Sequence, residues 1–295
     1  MKSTYSTAKL AQMLEVNEST IKRWADQGHL ECIKTKGGHR RFPIRSVLKF
    51  VHENRLTVPE IDTDLLSNRE LRAQVVAGNI DALVPEFKSA LIAGNTTDVL
   101  RILRLGVAAR TDLLSVYHEL VFPPLASIGE SWARGETTVD IEHLASQSVR
   151  EALARLQSEL YHKPANGKTA LLACYENEQH DLGLRCVNQY LTAEGWRTLF
   201  LGPQTPTDSL VFSINRNRPD LLVLTALVVE DEKRFIQRVN HEIVPALQKL
   251  GGRLAVGGAG IKRRFSGVLK ADFLSDSILD YVHIADVRQY DHARA

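Results

Sequence analysis

The sequence of 295 residues predicts a multidomain protein: an α-helical winged helix-turn-helix, a helical bundle, and a doubly wound, Rossmann-like α/β domain. Two short helical patterns before a Gly-Gly turn indicate the first. A long region of helical periodicity indicates the second, and alternating strands and helices from Lys168 onwards indicate the third. We expect domains at 1–55, 71–163 and 168–295, with a linker at 56–70 that lacks sustained periodicity.

Charge is unevenly distributed along the chain. Residues 1–55 carry a net charge of +6, whereas the remaining 240 residues carry −4. Because a basic segment attracts anionic partners, the N-terminal module is where such a partner is expected to bind.

Composition indicates the cellular compartment in which the protein is expected. No apolar run reaches transmembrane length, and the N-terminus lacks the apolar core of a signal peptide. The cysteines Cys32, Cys174 and Cys186 are odd in number and have no zinc-like spacing. Since Cys174 and Cys186 fall in apolar patterns typical of buried thiols, we expect a cytoplasmic protein with no membrane partner.

The N-terminal pattern is that of two short helices joined by a tight turn. An apolar stripe over 6–14 predicts the first helix, and residues 19–27 predict the second, with Ile21 and Trp24 facing inward. The Gly37-Gly38 pair then allows the tip of a β-hairpin wing, and 43–55 predict a further helix.

This module, with its G-G-H-R-R-F wing, resembles the winged helix-turn-helix of MerR-type regulators and excisionases. The resemblance implies that the second helix enters the major groove of double-stranded DNA and that the wing contacts the backbone or the minor-groove side. A basic, solvated face on a small helical domain is the alternative. The DNA-contact candidates on the second helix and the wing are Lys22, Arg23, His39, Arg40 and Arg41.

Helical periodicity from Asn68 to Leu160 predicts a helical bundle, with helices at about 69–77, 79–93, 95–105, 109–120, 122–133 and 139–161. Within it, Trp132 precedes Glu142 and His143 in a W-x9-E-H spacing, and the three can converge on one surface. From the residues alone, the alternative is that Trp132 is a core aromatic and His143 a hydrogen-bonded helix histidine.

The C-terminal pattern predicts a parallel sheet with a ligand at the carboxyl ends of its strands. Strands are expected at about 169–175, 197–201, 220–226 and 253–257, and at either 272–274 or 281–284. Helices are expected at about 183–194, 206–216, 231–249 and 263–270.

The segment Glu178-Gln179-His180-Asp181-Leu182-Gly183 follows the first predicted strand and has the form E-x-H-x-x-G. Here His180 can project above the sheet as an axial metal ligand while Gly183 lets the backbone turn tightly. Glu178 can accept the second ring N–H and fix the tautomer. The alternative is an exposed loop histidine beside ordinary turn glycines.

The order of motifs resembles base-off, His-on cobalamin-binding domains, in which D/E-x-H-x-x-G is followed by S/T-x-L and then G-G. Thr225-Ala-Leu227 and Gly257-Gly258 supply the second and third elements. With the winged module and W-x9-E-H, nearly the whole chain resembles the CarH/LitR-like MerR-family photoreceptors.

That resemblance implies adenosylcobalamin as the cofactor, with methylcobalamin as the alternative, and His180 as the lower axial ligand of cobalt. Trp132, Glu142 and His143 would cover the upper face of the corrin. Thr225 and the two glycines would line the slot for its benzimidazole tail. The remaining cofactor contacts that the resemblance implies are Glu178, Asp181, Gly183 and Leu227.

The resemblance further implies a cobalamin-dependent transcriptional repressor. Adenosylcobalamin, with light as a second signal, would control its homo-oligomerisation to a dimer or tetramer and its binding to an operator. The sequence contains no nucleophile–base constellation, so an enzyme is not expected. Two alternatives stay open: a corrinoid carrier in methyl transfer, and a cobalamin-independent regulator with a divergent ligand-binding or protein-binding domain.

One position departs from the family pattern. In CarH-type photoreceptors a histidine directly follows the tryptophan and captures cobalt after light breaks the Co–C bond. Here that position is Ala133, which cannot coordinate a metal. A stable bis-histidine product is therefore expected only if His143 reaches the cobalt.

Overall fold

The computed structural model describes residues 4–35, 37–43, 46–47, 50, 53–54, 74–75, 79–109, 112–160, 162–286 and 288. The chain divides into two compact units, Met1–Tyr161 and His162–Ala295. The predicted linker at 56–70 lies outside the described residues, as does most of the predicted helix at 69–77. The predicted domain boundaries stay predictions.

The N-terminal module contains both predicted helices and a small antiparallel sheet of order β1-β3-β2. Its elements are β1 (Thr4–Ser6), α1 (Thr7–Met13), α2 (Glu18–Asp26), β2 (Ile33–Lys34) and β3 (Arg40–Pro43). The Ser6 hydroxyl caps α1 by accepting from the Lys9 N–H at 3.1 Å. Strand β1 was not predicted, because three residues are too short for a visible alternation. The predicted helix at 43–55 is described only in part.

The helical region packs its apolar faces around a buried core that includes Phe87, Leu103, Leu120 and Val149. Its helices are α3 (Val84–Ile92), α4 (Thr96–Ala109), α5 (Leu113–Val116), α6 (Phe122–Ala133) and α7 (Val139–Gln157). A π-helical turn, Tyr117–Val121, joins α5 directly to α6. The predicted boundary between 120 and 122 is therefore wrong. The helix can continue here although Pro123 has no N–H to donate, because the wider π turn before it accommodates the missing hydrogen bond.

The described part of the C-terminal unit contains a parallel five-stranded sheet of order β5-β4-β6-β7-β8. Its strands are β4 (Thr169–Tyr175), β5 (Arg197–Thr205), β6 (Leu221–Thr225), β7 (Arg253–Gly257) and β8 (Phe273–Ser275). Its helices are α8 (Leu182–Ala193), α9 (Thr207–Asn217), α10 (Glu232–Arg238), α11 (Val244–Gln248), α12 (Ile261–Phe265) and α13 (Tyr281–Ile284).

The register of the central strands decides where the site lies. Cys174 pairs with Thr225, and Thr225 pairs with Gly257, so the carboxyl ends of β4, β6 and β7 are level. The loops that follow these three strands therefore emerge side by side at one edge of the sheet.

Three predicted elements differ from the structure. Strand β5 was expected to end at 201 but continues to Thr205. It can contain Pro203 because it is an edge strand whose pairing with β4 is irregular near Gly202. Residues 281–284 form helix α13, so the alternative strand at 272–274 is the one that corresponds to β8. Helix α12 ends at Phe265, before Gly267 with φ +78°.

In the described part of the chain, no helix combines the length and the apolar composition that crossing a membrane requires.

Candidate functional site

The loop between β4 and α8 presents His180 to solvent and Glu178 to the interior. The His180 side chain is 64% exposed, whereas Glu178 is 2% exposed. The ring Nδ1 of His180 lies 2.6 Å from Glu178 Oε1, and the backbone N–H of His180 donates to the same oxygen at 2.7 Å. The predicted contact between the two side chains is therefore present.

This contact determines which nitrogen of His180 can bind a metal. A carboxylate only accepts hydrogen bonds, so Nδ1 carries the proton and Nε2 of the neutral ring carries the lone pair. A metal-binding histidine in proteins commonly donates its other N–H to a carboxylate in this way. The pair thus has the arrangement of an exposed metal ligand with a buried orienting group.

The second oxygen of Glu178 ties this loop to the loop after β6. Glu178 Oε2 accepts from the backbone N–H groups of Leu227 and Val228, each at 2.7 Å. Burial raises the pKa of Glu178, but hydrogen bonds from His180 and from the Val228 N–H outweigh burial and hold that pKa below its usual value. The carboxylate is therefore ionised at neutral pH.

The sequence did not indicate these backbone donors. Leu227 was predicted as a cofactor contact, and its backbone N–H donates to Glu178 Oε2. Val228 was not singled out, and no residue-type signal could have found it, because any residue except proline offers the same N–H.

Backbone hydrogen bonds hold the loop from its other side. The Glu178 N–H donates to Tyr175 O at 2.8 Å, and the Gln204 N–H donates to Glu178 O at 2.9 Å. Glu176 and Gln204 both have positive φ values, 32° and 53°. Such left-handed conformations in residues other than glycine cost free energy and often occur at functional sites.

Asp181 and Gly183 begin helix α8 but differ from each other in environment. Asp181 is 2% exposed, and its carboxylate accepts from Arg185 Nε at 2.7 Å. Gly183 lies within the helix, so the predicted tight turn at this residue is wrong. A methyl group added at Gly183 would meet no atom within 4 Å, so the glycine leaves open space beside the histidine loop.

Gly257 and Gly258 both lie close to other protein atoms. A methyl group on Gly257 would approach the Tyr281 hydroxyl at 3.0 Å. Gly258 has φ +150°, and an added methyl group would lie 3.0 Å from Ala226 O. Packing within the domain thus accounts for both glycines. The sequence did not single out Tyr281. Its hydroxyl lies close to Gly257, which pairs with the partly buried Thr225 at the end of β6.

The N-terminal unit places Trp132 at the end of α6 and the Glu142-His143 pair near the start of α7. Trp132 is 49% exposed, so the alternative of a core aromatic is wrong. Glu142 accepts from the Ser146 hydroxyl at 2.6 Å and lies 3.7 Å from His143 Nε2, whose side chain is 72% exposed. The exposed aromatic and imidazole rings can therefore contact a ligand.

The basic candidates of the winged module fall on two surfaces. Lys22, His39, Arg40 and Arg41 line one cavity of about 400 Å³ together with residues at the start of α1. Arg23 instead lines a second cavity beside Trp24 and Phe50, whose rings are 4.8 Å apart.

The donor chemistry of the C-terminal site can be tested against the implied cofactor. His180 offers one neutral imidazole nitrogen, which suits a metal that takes its remaining ligands from a planar macrocycle. At Gly183, three residues further along the chain, no protein atom lies within 4 Å of an added methyl group, so the protein itself does not fill this position. The residues present therefore fit a corrin-bound cobalt.

Comparison with known proteins gives matches to all three regions. A model described as a helix-turn-helix domain matches residues 4–55. Two models described as B12 binding domains match residues 83–157 and 168–280.

Two relatives from Myxococcus xanthus are similar over most of the chain. The HTH-type transcriptional repressor CarH is 28% identical over 251 residues, which cover 79% of this chain and 82% of CarH. The HTH-type transcriptional repressor CarA is 27% identical over 267 residues, which cover 88% of each chain.

Among solved structures, the monomethylamine corrinoid protein of Methanosarcina barkeri matches with a TM-score of 0.57 at 17% identity. The match covers 68% of this chain and 95% of that one, and it shows similarity of fold alone. Together with the domain matches, it confirms the predicted fold class.

Proposed function

We propose that this chain, a CarH-like helix-turn-helix protein with two B12-binding domains, is a cobalamin-dependent transcriptional regulator that binds DNA. The matches confirm the predicted resemblance and the predicted cofactor, cobalamin. The single observation that carries the proposal is the buried Glu178 carboxylate beneath the exposed His180 ring, within a matched B12-binding domain.

When bound, cobalamin would supply a cobalt centre that can accept a protein nitrogen. His180 Nε2 would hold the cobalt, and Glu178 would keep the proton on Nδ1. In this proposal Gly183 would leave space for the cofactor, and Thr225, Gly257 and Gly258 would line the slot for its tail, as the resemblance implies. Trp132, Glu142 and His143 would be further contacts of the cofactor, as the resemblance implies.

The winged module supplies the DNA-binding function in this proposal. Its relatives are named as repressors, which supports repression as the mode of regulation. A single small module binds DNA weakly, whereas linking several in a homo-oligomer raises their effective concentration at the operator. Cobalamin-controlled assembly to a dimer or tetramer would therefore switch operator occupancy without altering the DNA-contacting residues.

We further propose that the protein is cytoplasmic and is not an enzyme. Light is the least supported of the proposed signals, because Ala133 stands where CarH-type photoreceptors have a cobalt-capturing histidine.

An absorption experiment tests the proposal. Purified protein is incubated with adenosylcobalamin in darkness, desalted, and examined before and after illumination. We expect retained corrinoid with a base-off, His-on spectrum. A protein that retains no corrinoid would contradict the proposal and favour the cobalamin-independent regulator.

A second experiment separates the regulator from a corrinoid carrier. Both would retain cobalamin, but only the regulator should select particular duplexes from a random-sequence DNA pool. Cobalamin retention without any selection of DNA would favour the carrier.

A further inference from the structure

Arg40 of the wing is held by Asp26 at the end of the second helix of the helix-turn-helix. Arg40 Nη2 lies 2.6 Å from Asp26 Oδ1. The Arg40 side chain is only 20% exposed, although the wing as a whole is basic. In the described part of the chain, its buried Nε has no hydrogen-bond partner. The guanidinium is therefore mostly buried, and its charge is paired with that of Asp26, whose side chain is 58% exposed.

The pair connects two parts of the module that are predicted to contact DNA. Asp26 is the last residue of α2, and Arg40 is the first residue of β3. Strand β3 is the central strand of its sheet and pairs with both β1 and β2. A contact that fixes the start of β3 against the end of α2 therefore fixes the wing relative to the helix.

Two neighbouring DNA-contact candidates, His39 and Lys22, differ from Arg40 in their surroundings. His39 is exposed at the wing tip, where its N–H donates to Thr35 Oγ1 at 3.2 Å. Lys22 is 49% exposed and lies 3.6 Å from Glu18, a longer contact than that of Arg40. Because an arginine already neutralised by a carboxylate releases fewer counterions at a phosphate, Arg40 is a poorer phosphate ligand than Lys22.

We propose that Asp26 is a positioning residue for DNA binding: it holds Arg40, and the Asp26–Arg40 pair sets the wing against the second helix instead of contacting phosphates. This inference rests on the proposed DNA-binding function. It also reassigns Arg40 from the DNA-contact candidates to the support of the wing.

The test uses the full-length chain and the duplex that the wild-type protein selects from a random-sequence pool. Asp26→Asn, Arg40→Gln and the double variant are compared by affinity across a range of salt concentrations, with Lys22→Gln as the matched control. Asp26→Asn and Arg40→Gln should each weaken binding about threefold to fivefold, and the double variant no more than either. Arg40→Gln and the double variant should leave the slope of log affinity against log salt unchanged.

Lys22→Gln should instead reduce that slope by about 0.9, the value for one lost phosphate contact. Two results would overturn the proposal. A comparable slope change in Arg40→Gln would make Arg40 a phosphate ligand. Tighter binding by Asp26→Asn would make Asp26 an ordinary surface acid that repels DNA.

A second measurement needs no DNA and therefore separates this inference from the proposed function. Hydrogen exchange in peptides that span β2 and β3 should be up to about fivefold faster in both single variants than in wild type. Unchanged exchange in these peptides would overturn the positioning role even if the protein selects DNA. Faster exchange in a protein that selects no duplex would reject DNA binding but keep the Asp26–Arg40 support of the wing.

Discussion

Glu178 and His180 are joined twice, because one carboxylate oxygen accepts from both the backbone N–H and the ring Nδ1 of the same histidine, at 2.7 and 2.6 Å. The two contacts fix both the position of the residue and the tautomer of its ring. The other carboxylate oxygen binds the Leu227 and Val228 N–H groups, so the loops after two strands share a single buried anion. The exposed His180 ring is thus oriented by a buried carboxylate.

Replacing His180 by alanine should remove cobalamin retention without destabilising the fold. The side chain is 64% exposed, so its loss should change the free energy of unfolding by only about 0.5 kcal/mol. Cobalamin affinity should fall by more than about 100-fold, beyond the effect of losing an outer-shell partner. Absorption after desalting measures retention, and thermal unfolding is the control. Retention equal to wild type would reject the axial role.

Glu178→Gln should weaken cobalamin binding and also destabilise the domain. The amide keeps the size of the side chain but cannot accept from all four donors, so about 1–3 kcal/mol of stability should be lost. Affinity for cobalamin should fall by about 10- to 100-fold.

Glu176→Gln is the matched control for this variant. Glu176 lies in the same loop but accepts from the Thr207 hydroxyl at 2.9 Å instead of contacting His180. It should retain wild-type affinity for cobalamin. Equal losses of affinity in both variants would mean that general loosening of the loop, rather than orientation of His180, explains the effect.

Gly183→Ala should separate stability from binding. The added methyl group meets no protein atom within 4 Å, and alanine favours a helix over glycine by up to about 1 kcal/mol. The variant should therefore unfold at the same or higher denaturant concentration. If the corrin lies over this position, the variant should nevertheless retain less cobalamin. Full retention would place the corrin away from Gly183.

Trp132→Ala should change ligand discrimination more than stability. With Trp132 49% exposed, its truncation should cost about 0.5 kcal/mol or less. The variant should lose the preference for adenosylcobalamin over hydroxocobalamin that the proposed upper-face role requires. Phe212→Ala, at an aromatic residue that is 66% exposed, is the control and should keep that preference. Equal binding of both cobalamins by wild type would reject this role.

The three cysteines should differ in their reactivity with a thiol reagent at pH 8. Burial, followed by the negative charges of Asp181 and Glu178, raises the pKa of Cys174 to about 12. Burial also raises the pKa of Cys186. Because the thiolate is the reactive form, only the partly exposed Cys32 should react in the native protein, and the other two should react after unfolding. Rapid labelling of Cys174, located by peptide mapping, would contradict its burial.

The sequence by itself determined the order of the modules and the residue types at the candidate site. Helical and strand periodicities predicted α2, β4 and β7 to within about a residue. The E-x-H-x-x-G spacing predicted the Glu178–His180 contact, because residues two apart in one loop are held close by the chain itself.

Only the tertiary structure decided the contacts between segments distant in sequence. Glu178 meets the Leu227 and Val228 N–H groups because β4 and β6 are adjacent in the sheet. Arg40 meets Asp26 across 14 positions of the sequence, between the start of β3 and the end of α2. The tertiary structure also explains Gly257 differently from the sequence. The Tyr281 hydroxyl occupies the space that a side chain at this position would need. Backbone donors and packing distances have no residue-type signature, so these relationships arise only when the chain has folded.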